Sequence, residues 1–88
     1  MTKTILVDKE SDGKMYVERY VMAENESEDF TIKDDTFFYT ITGYGVMNIE
    51  DYGYSIEQGT GILIHKDSEF TLTNTGDVEL QFVIFGVK

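Results

Sequence analysis

The chain has no cysteine and no proline. It has one histidine, and its seven lysines and arginines are outnumbered by seventeen aspartates and glutamates. Each shortage excludes something. Without cysteine there is no disulfide, no thiolate metal site and no cysteine nucleophile. Without proline, the turns fall to glycine, aspartate and asparagine. The formal net charge of −10 argues against a nucleic-acid partner, because Lys and Arg must neutralise the phosphates. It disfavours an anionic membrane surface for the same reason. A basic protein or a cationic ligand stays compatible with that charge, which also keeps a small protein soluble. Long hydrophobic runs are missing too. The opening "MTKTILVDKE" has three consecutive apolar residues before charge resumes, too few for a signal-peptide core. No run approaches the length of a membrane span. A cytoplasmic location is the expectation from these absences.

Eighty-eight residues imply one small domain over 1–88. A chain this short buries only about 60–65% of its unfolded surface, so a homodimer is the expected source of further burial. What fills the chain is a series of short β-rich segments. "TILVDKE" (4–10) leads through Asp12-Gly13, a strong hairpin signal, into "KMYVERYVM" (14–22). There Tyr16, Glu18 and Tyr20 alternate with Met15, Val17, Arg19 and Val21. "AENESED" (23–29) reads as a polar loop. "FTIKD", "TFFYTIT" (36–42), "YGVMNIE" (44–50), "YSIEQ", "GILIH" (61–65), "EFTLTN" (69–74) and "VELQFVIFGV" (78–87) follow as strands. Val, Ile, Thr, Tyr and Phe dominate them, as half-buried pleated strands prefer. No window sustains a helical apolar period. Eight or nine evenly spaced strands predict an all-β jelly roll or closed barrel, which also avoids long unpaired edges.

Two phrases carry a family resemblance. "TFFYTITGYG", with Phe38, Tyr39 and Gly43, looks like the end of the first cupin motif, G-x5-H-x-H-x3,4-E-x6-G. "GTGILIHKDSEFTLTNTG" looks like the second, G-x5-P-x-G-x2-H-x3-N, with Gly59 and Asn74 at the correct fifteen-residue separation. Over roughly residues 25–85 the chain resembles the cupin superfamily, which implies a cupin-like jelly-roll β-barrel. In most cupins two His and a Glu of the first motif and a His of the second hold a divalent metal. Carried over by register, the Glu position is Thr36 and the second-motif His is Phe70. The two His positions are Asp29 and Thr31, or one residue later Phe30 and Ile32. The resemblance therefore implies that the metal set is lost, since a divalent metal needs three or four converging N or O ligands. No metal and no cofactor are expected. The motif's proline position is His65, and its second glycine is Asp67.

Several residues are then candidates for a site. His65 is either an acid/base or ligand contact at the barrel rim or a solvated turn residue. Phe38, Phe70 and Phe82 are expected inside the barrel, as core or as walls of an apolar ligand pocket. Thr31, Thr36 and Thr40 are expected to share that interior, where each hydroxyl needs a partner. Asn74 before Thr-Gly suits a turn that it bonds itself. The acidic "ENESED" and "KDD" stretches lack a calcium-loop pattern and read as solvated. Tyr16, Tyr20, Tyr44, Tyr52 and Tyr54 suit an outer face at a dimer interface or ordinary cross-strand pairs. No Ser-His-Asp order or phosphate-binding glycine loop is present.

The leading expectation is a small-molecule-binding or accessory protein of unknown ligand. The alternative is a metal-independent enzyme of the sugar isomerase or epimerase type, which the resemblance permits, using His65 at the barrel mouth. Two further readings are a metal enzyme with Asp29, His65 and Glu69 as ligands, and an interaction module whose acidic surface meets a basic partner. The fold does not choose among them.

Overall fold

The alternation read from the sequence becomes nine strands in a computed structural model, which describes residues 1–7 and 14–87. They are β1 (Thr2–Val7), β2 (Met15–Met22), β3 (Ser27–Thr31), β4 (Asp35–Thr42), β5 (Tyr44–Ile49), β6 (Tyr52–Glu57), β7 (Gly61–Ile64), β8 (Glu69–Asn74) and β9 (Leu80–Val87). A five-stranded sheet has the order β1-β2-β9-β4-β7, and a four-stranded sheet the order β3-β8-β5-β6. The pairs are antiparallel throughout. No helix occurs among the described residues, so none there is long and apolar enough to cross a membrane.

Period-two patterning builds the core. In β4, Thr36, Phe38 and Thr40 turn inward while Asp35, Phe37 and Tyr39 face out. In β9, Leu80, Phe82 and Ile84 are inward, opposite Met22, Tyr20 and Glu18 of β2. Met47, Ile56, Phe70 and Leu72 answer from the four-stranded sheet, and one apolar cluster joins both sheets. Removing a large buried side chain from such a core costs about 2–5 kcal/mol.

Turn chemistry replaces proline. Gly43, with φ of 100°, lets β4 swing into β5, and a Cβ there would lie 2.7 Å from the Glu79 carbonyl oxygen. The β5–β6 hairpin closes on Glu50 and Asp51, whose φ values are 49° and 68°. Two left-handed residues make the turn that suits strand twist, although neither is glycine.

Several boundaries differ from the sequence reading, most of all at β3. The expected loop 23–29 yields its last three residues to β3, which ends at Thr31 rather than continuing through "KD". Cross-strand hydrogen bonds explain this. The Ser27 and Thr73 hydroxyls bond at 2.9 Å, and Thr71 Oγ1 donates to Asp29 Oδ1 at 2.6 Å. A polar segment can thus serve as an edge strand whose outer face stays wet. β1 starts at Thr2 and pairs with β2 as a hairpin partner should; the Asp12-Gly13 turn lies outside the described residues.

Asn74 ties the strand ends together. It is buried, and its Nδ2 protons serve the carbonyls of Met22 (3.2 Å), Ala23 (3.1 Å) and Val78 (2.9 Å). Its Oδ1 accepts from the Gly76 amide at 2.9 Å, the self-bonded turn that Asn before Thr-Gly predicts. Asn74→Ala would remove all four bonds, with the Ala23 carbonyl keeping only the Glu26 amide at 3.2 Å. We expect it to cost about 2–4 kcal/mol, since each buried group left unpaired costs about 1–3 kcal/mol. Urea unfolding measures this; a loss under about 1 kcal/mol would mean water replaces the clamp.

Candidate functional site

The barrel interior is the first place to look. Of the two registers for the first-motif histidines, strand alternation selects the later. Phe30 packs against the core and Ile32 is buried, whereas Asp29 and Thr31 pair with Thr71 and Glu69 on the outer face. By that register, the positions aligned with the metal ligands of most cupins are Phe30, Ile32, Thr36 and Phe70. They do not fit a metal. Phe30 and Phe70 stack with ring centroids 4.9 Å apart at 14°. Thr36 Oγ1 donates to the Asp34 carbonyl at 2.8 Å. Among the described residues no group of three or more His, Cys, Asp or Glu could hold a metal ion. The Asp29, His65 and Glu69 set is dispersed accordingly: Asp29 and Glu69 face outward on the four-stranded sheet, and His65 follows β7 of the other.

The rest of the proposed pocket is filled by rings. Phe38 lies 4.9 Å from Phe82 and 6.4 Å from Phe70, and Phe82 stacks on Tyr20 at 5.1 Å. Tyr20 meets Phe30 edge-on at 5.6 Å and 89°. Phe38, Phe70 and Phe82 are thus core rather than walls of an open cavity. Thr36 and Thr40 are buried beside them, but Thr31 is exposed. The expectation that three threonines share the interior fails at Thr31: the inward positions keep one parity from Phe30 and Ile32 through Thr36, Phe38 and Thr40, which turns Thr31 outward. The Thr40 hydroxyl is buried with no hydrogen-bond partner among the described residues.

The Tyr20 hydroxyl closes this side of the sandwich. It donates to Glu18 Oε1 at 2.9 Å, and Lys3 Nζ sits 3.2 Å from Glu18 Oε2. Burial first, then that hydrogen bond and the Glu18 charge, push the Tyr20 phenol well above its ordinary range.

The opposite seam, between the edge strands β6 and β7, stays open. A cleft of about 200 Å³ lies there. Tyr52 and Tyr54, one face of the Tyr-x-Tyr in β6, contribute rings 6.5 Å apart. Ile49 and Ile62 wall it from the two sheets, with buried Ile64 below. Glu50, from the left-handed turn, and His65 stand at its rim. The His65 side chain is 82% exposed, and its Nδ1 lies 3.9 Å from Asp35 Oδ1. His65 is therefore at the mouth of the sandwich, with its ring largely in water. Sequence reasoning missed Ile49, Glu50 and Ile62 and did not connect Tyr52 and Tyr54 with His65. The period-two "YGY" marked one face of β6 as aromatic, but not that β6 ends a sheet opposite another free edge. The five tyrosines singled out earlier also share no outer face. Tyr16 and Tyr20 turn inward, Tyr44 faces out from the four-stranded sheet, and Tyr52 and Tyr54 line the cleft.

Comparison with known proteins agrees with this architecture. The Cupin_2 domain of an XRE family transcriptional regulator from Enterobacter cloacae superposes with a TM-score of 0.88 at 13% identity, over 99% of this chain and 95% of the domain. A predicted oxalate decarboxylase from Thermotoga maritima gives 0.85 at 18% identity, over 97% of this chain and 77% of the other. Protein SchB of Streptomyces halstedii is 33% identical over 60 residues, 68% of this chain and 44% of SchB. The chain thus spans less than half of that relative. No protein-family model matches it. The chain has the fold of the cupin superfamily: an all-β jelly roll of two antiparallel sheets.

Two measurements follow from the interior. Because the folded pKa of Tyr20 is raised, the folded state holds its proton where the unfolded chain releases it. That contribution is fully present below about pH 10 and is lost as the pH rises above it toward the folded value. Unfolding free energies followed into alkali are expected to fall more steeply for the native chain than for Tyr20→Phe; parallel curves would contradict this. Thr40→Val removes an unsatisfied hydroxyl without changing shape and is expected to stabilise by about 1 kcal/mol in urea unfolding. A comparable loss would reveal a partner for that hydroxyl.

Proposed function

We propose that this chain is a small-molecule-binding or accessory protein of cupin fold, and that its site is the cleft between β6 and β7. The observation that carries this reading is the aromatic filling of the interior. Phe30 stacks on Phe70, at positions that the motif register aligns with the metal ligands of most cupins. The concave surface richest in apolar and aromatic side chains is the cleft at the seam, although a larger hollow of about 550 Å³ lies at Asp29, Thr31, Glu69 and Thr71. Small-ligand sites are mostly apolar, with a few polar groups that set orientation. Tyr52 and Tyr54 offer flat apolar faces with hydroxyls, and Glu50 and His65 add polar groups at the rim. The cleft suits a small molecule with a flat or apolar face. The likenesses to a regulator domain and to a predicted decarboxylase leave the fold open to both kinds of protein, so the site must decide.

The metal-independent isomerase or epimerase reading asks more of His65. A general base must reach the proton it abstracts, and electrostatic effects are strong only where water is excluded. A ring 82% exposed meets neither condition in the free protein.

Thermal shift tests the proposal, with indole, benzamidine and methyl β-glucoside as probes. At least one is expected to stabilise the protein, by about 2.7 kcal/mol at roughly a hundredfold excess over its Kd. Tyr54→Ala should abolish that shift, and Ser55→Ala, on the opposite face of the same strand, should retain it. No shift with any probe, or an equal shift in Tyr54→Ala, would overturn the assignment. So would one bound transition metal per chain in untagged protein purified without chelator.

A further inference from the structure

The two outward faces of this sandwich differ in chemistry. On the four-stranded sheet the outward positions include Ser27, Asp29, Thr31, Thr71, Thr73 and Ser55. Hydroxyls and carboxylates dominate, as on a face that meets water. The five-stranded sheet is the reverse. The registers align Val7, Val17, Phe85, Phe37 and Leu63 in one row across all five strands. Tyr39 and Val83 lie beside that row on one side, and Met15 and Val87 on the other. Leu63 is 67% exposed, Phe37 40% and Tyr39 39%.

The surface is also ordered. The Phe37 ring lies 6.3 Å from Phe85 and 6.5 Å from Tyr39. It covers Gly61 so closely that a Cβ there would sit 2.6 Å from the ring. An apolar patch of this continuity on a small acidic chain marks an interaction surface.

Charge identifies the partner. The outward positions of these paired strands hold two charged side chains, Arg19 in the middle and Asp35 at the rim. Arg19 donates to Gln81 on the neighbouring strand. Acidic residues exceed basic ones by ten in the whole chain, yet they stay off the centre of this face. A basic partner would be drawn by acids at the contact. A partner that is itself acidic needs the contact free of them, and a second copy of this chain is such a partner. Area agrees. Five strands spaced about 4.8 Å apart, each contributing about 20 Å of length, present about 480 Å² in plan. Two such faces supply about 1,000 Å² before side-chain relief is counted, the order a specific interface needs.

We propose that the outward face of the five-stranded sheet is the interface of a homodimer, in which two copies pack sheet on sheet about a two-fold axis. Leu63 borders both this face and the cleft between β6 and β7, whereas Phe37 lies outside the cleft lining, so Phe37→Glu separates this inference from the ligand proposal. Sedimentation velocity over a micromolar concentration range tests it. The native chain is expected at twice its 10.1 kDa mass, with association strengthened by salt as repulsion between like-charged copies is screened. Leu63→Glu and Phe37→Glu should each halve the mass. Ser55→Glu, on the polar face, should leave the dimer intact. Leu63 is so exposed that its substitution leaves the fold in place, which far-UV circular dichroism checks. A monomeric native chain, a dimer weakened by salt, or a dimer unchanged by Leu63→Glu would overturn the proposal.

Discussion

Phe30 reaches inward from an edge strand and Phe70 from its neighbour, and their rings lie flat on one another 4.9 Å apart. Much of this molecule depends on that contact. Tyr20 and Phe82 extend the cluster to the facing sheet, and Phe38 completes it. Aromatic pairs in these geometries add about 0.5–1.5 kcal/mol beyond the area they bury. Aliphatic and methionine side chains, among them Met22, Met47, Leu72 and Leu80, complete the same core. A barrel that kept its centre for a metal and a substrate would give up this burial. Packing and interior metal chemistry compete for the same space, and here packing holds it.

The consequence is an uneven molecule. One seam is closed by Tyr20 against Phe30, with Glu18 and Lys3 capping the phenol. The other is left as a cleft between β6 and β7, where Tyr52 and Tyr54 overhang the inward face of the four-stranded sheet. The outer faces divide in the same way, one hydroxyl-rich and one apolar. Sequence alternation alone does not foresee this division. A strand that is apolar on both faces, such as "LQFVIFGV" in β9, reads the same whether its second face meets a helix, another sheet or a second copy.

Much of the architecture was legible in the sequence because it rests on local chemistry. Period-two runs, glycine turns and Asn74 before Thr-Gly each have a near-neighbour cause. What stayed hidden was long-range. Whether Phe30 or Asp29 points inward depends on the pairing of β3 with β8, more than forty residues away in the Ser27–Thr73 pair. Thr31 was misplaced although parity is kept from Phe30 through Ile32 to Thr36, because the inward parity of β3 is visible only once Phe30 is seen against the core. The cleft was missed because it lies between two sheet edges, and which strands end a sheet is a property of topology.

The contrast between Tyr20 and His65 sharpens the functional reading. Tyr20 has the perturbed environment that often marks a catalytic group. Its shift, however, runs upward, from burial and an adjacent carboxylate, so at neutral pH it holds its proton more firmly than a free tyrosine. Its hydroxyl is already committed to Glu18. His65 has the opposite problem. Its side chain is largely in water, which screens any charge that it gains or transfers. Tyr20 is sheltered but its hydroxyl is committed to Glu18, and His65, free of such a bond among the described residues, is exposed. A ligand seated over Tyr52 and Tyr54 would use His65 only as a rim contact. Recognition tolerates an exposed polar group where catalysis does not, and the proposed binding role rests on that difference.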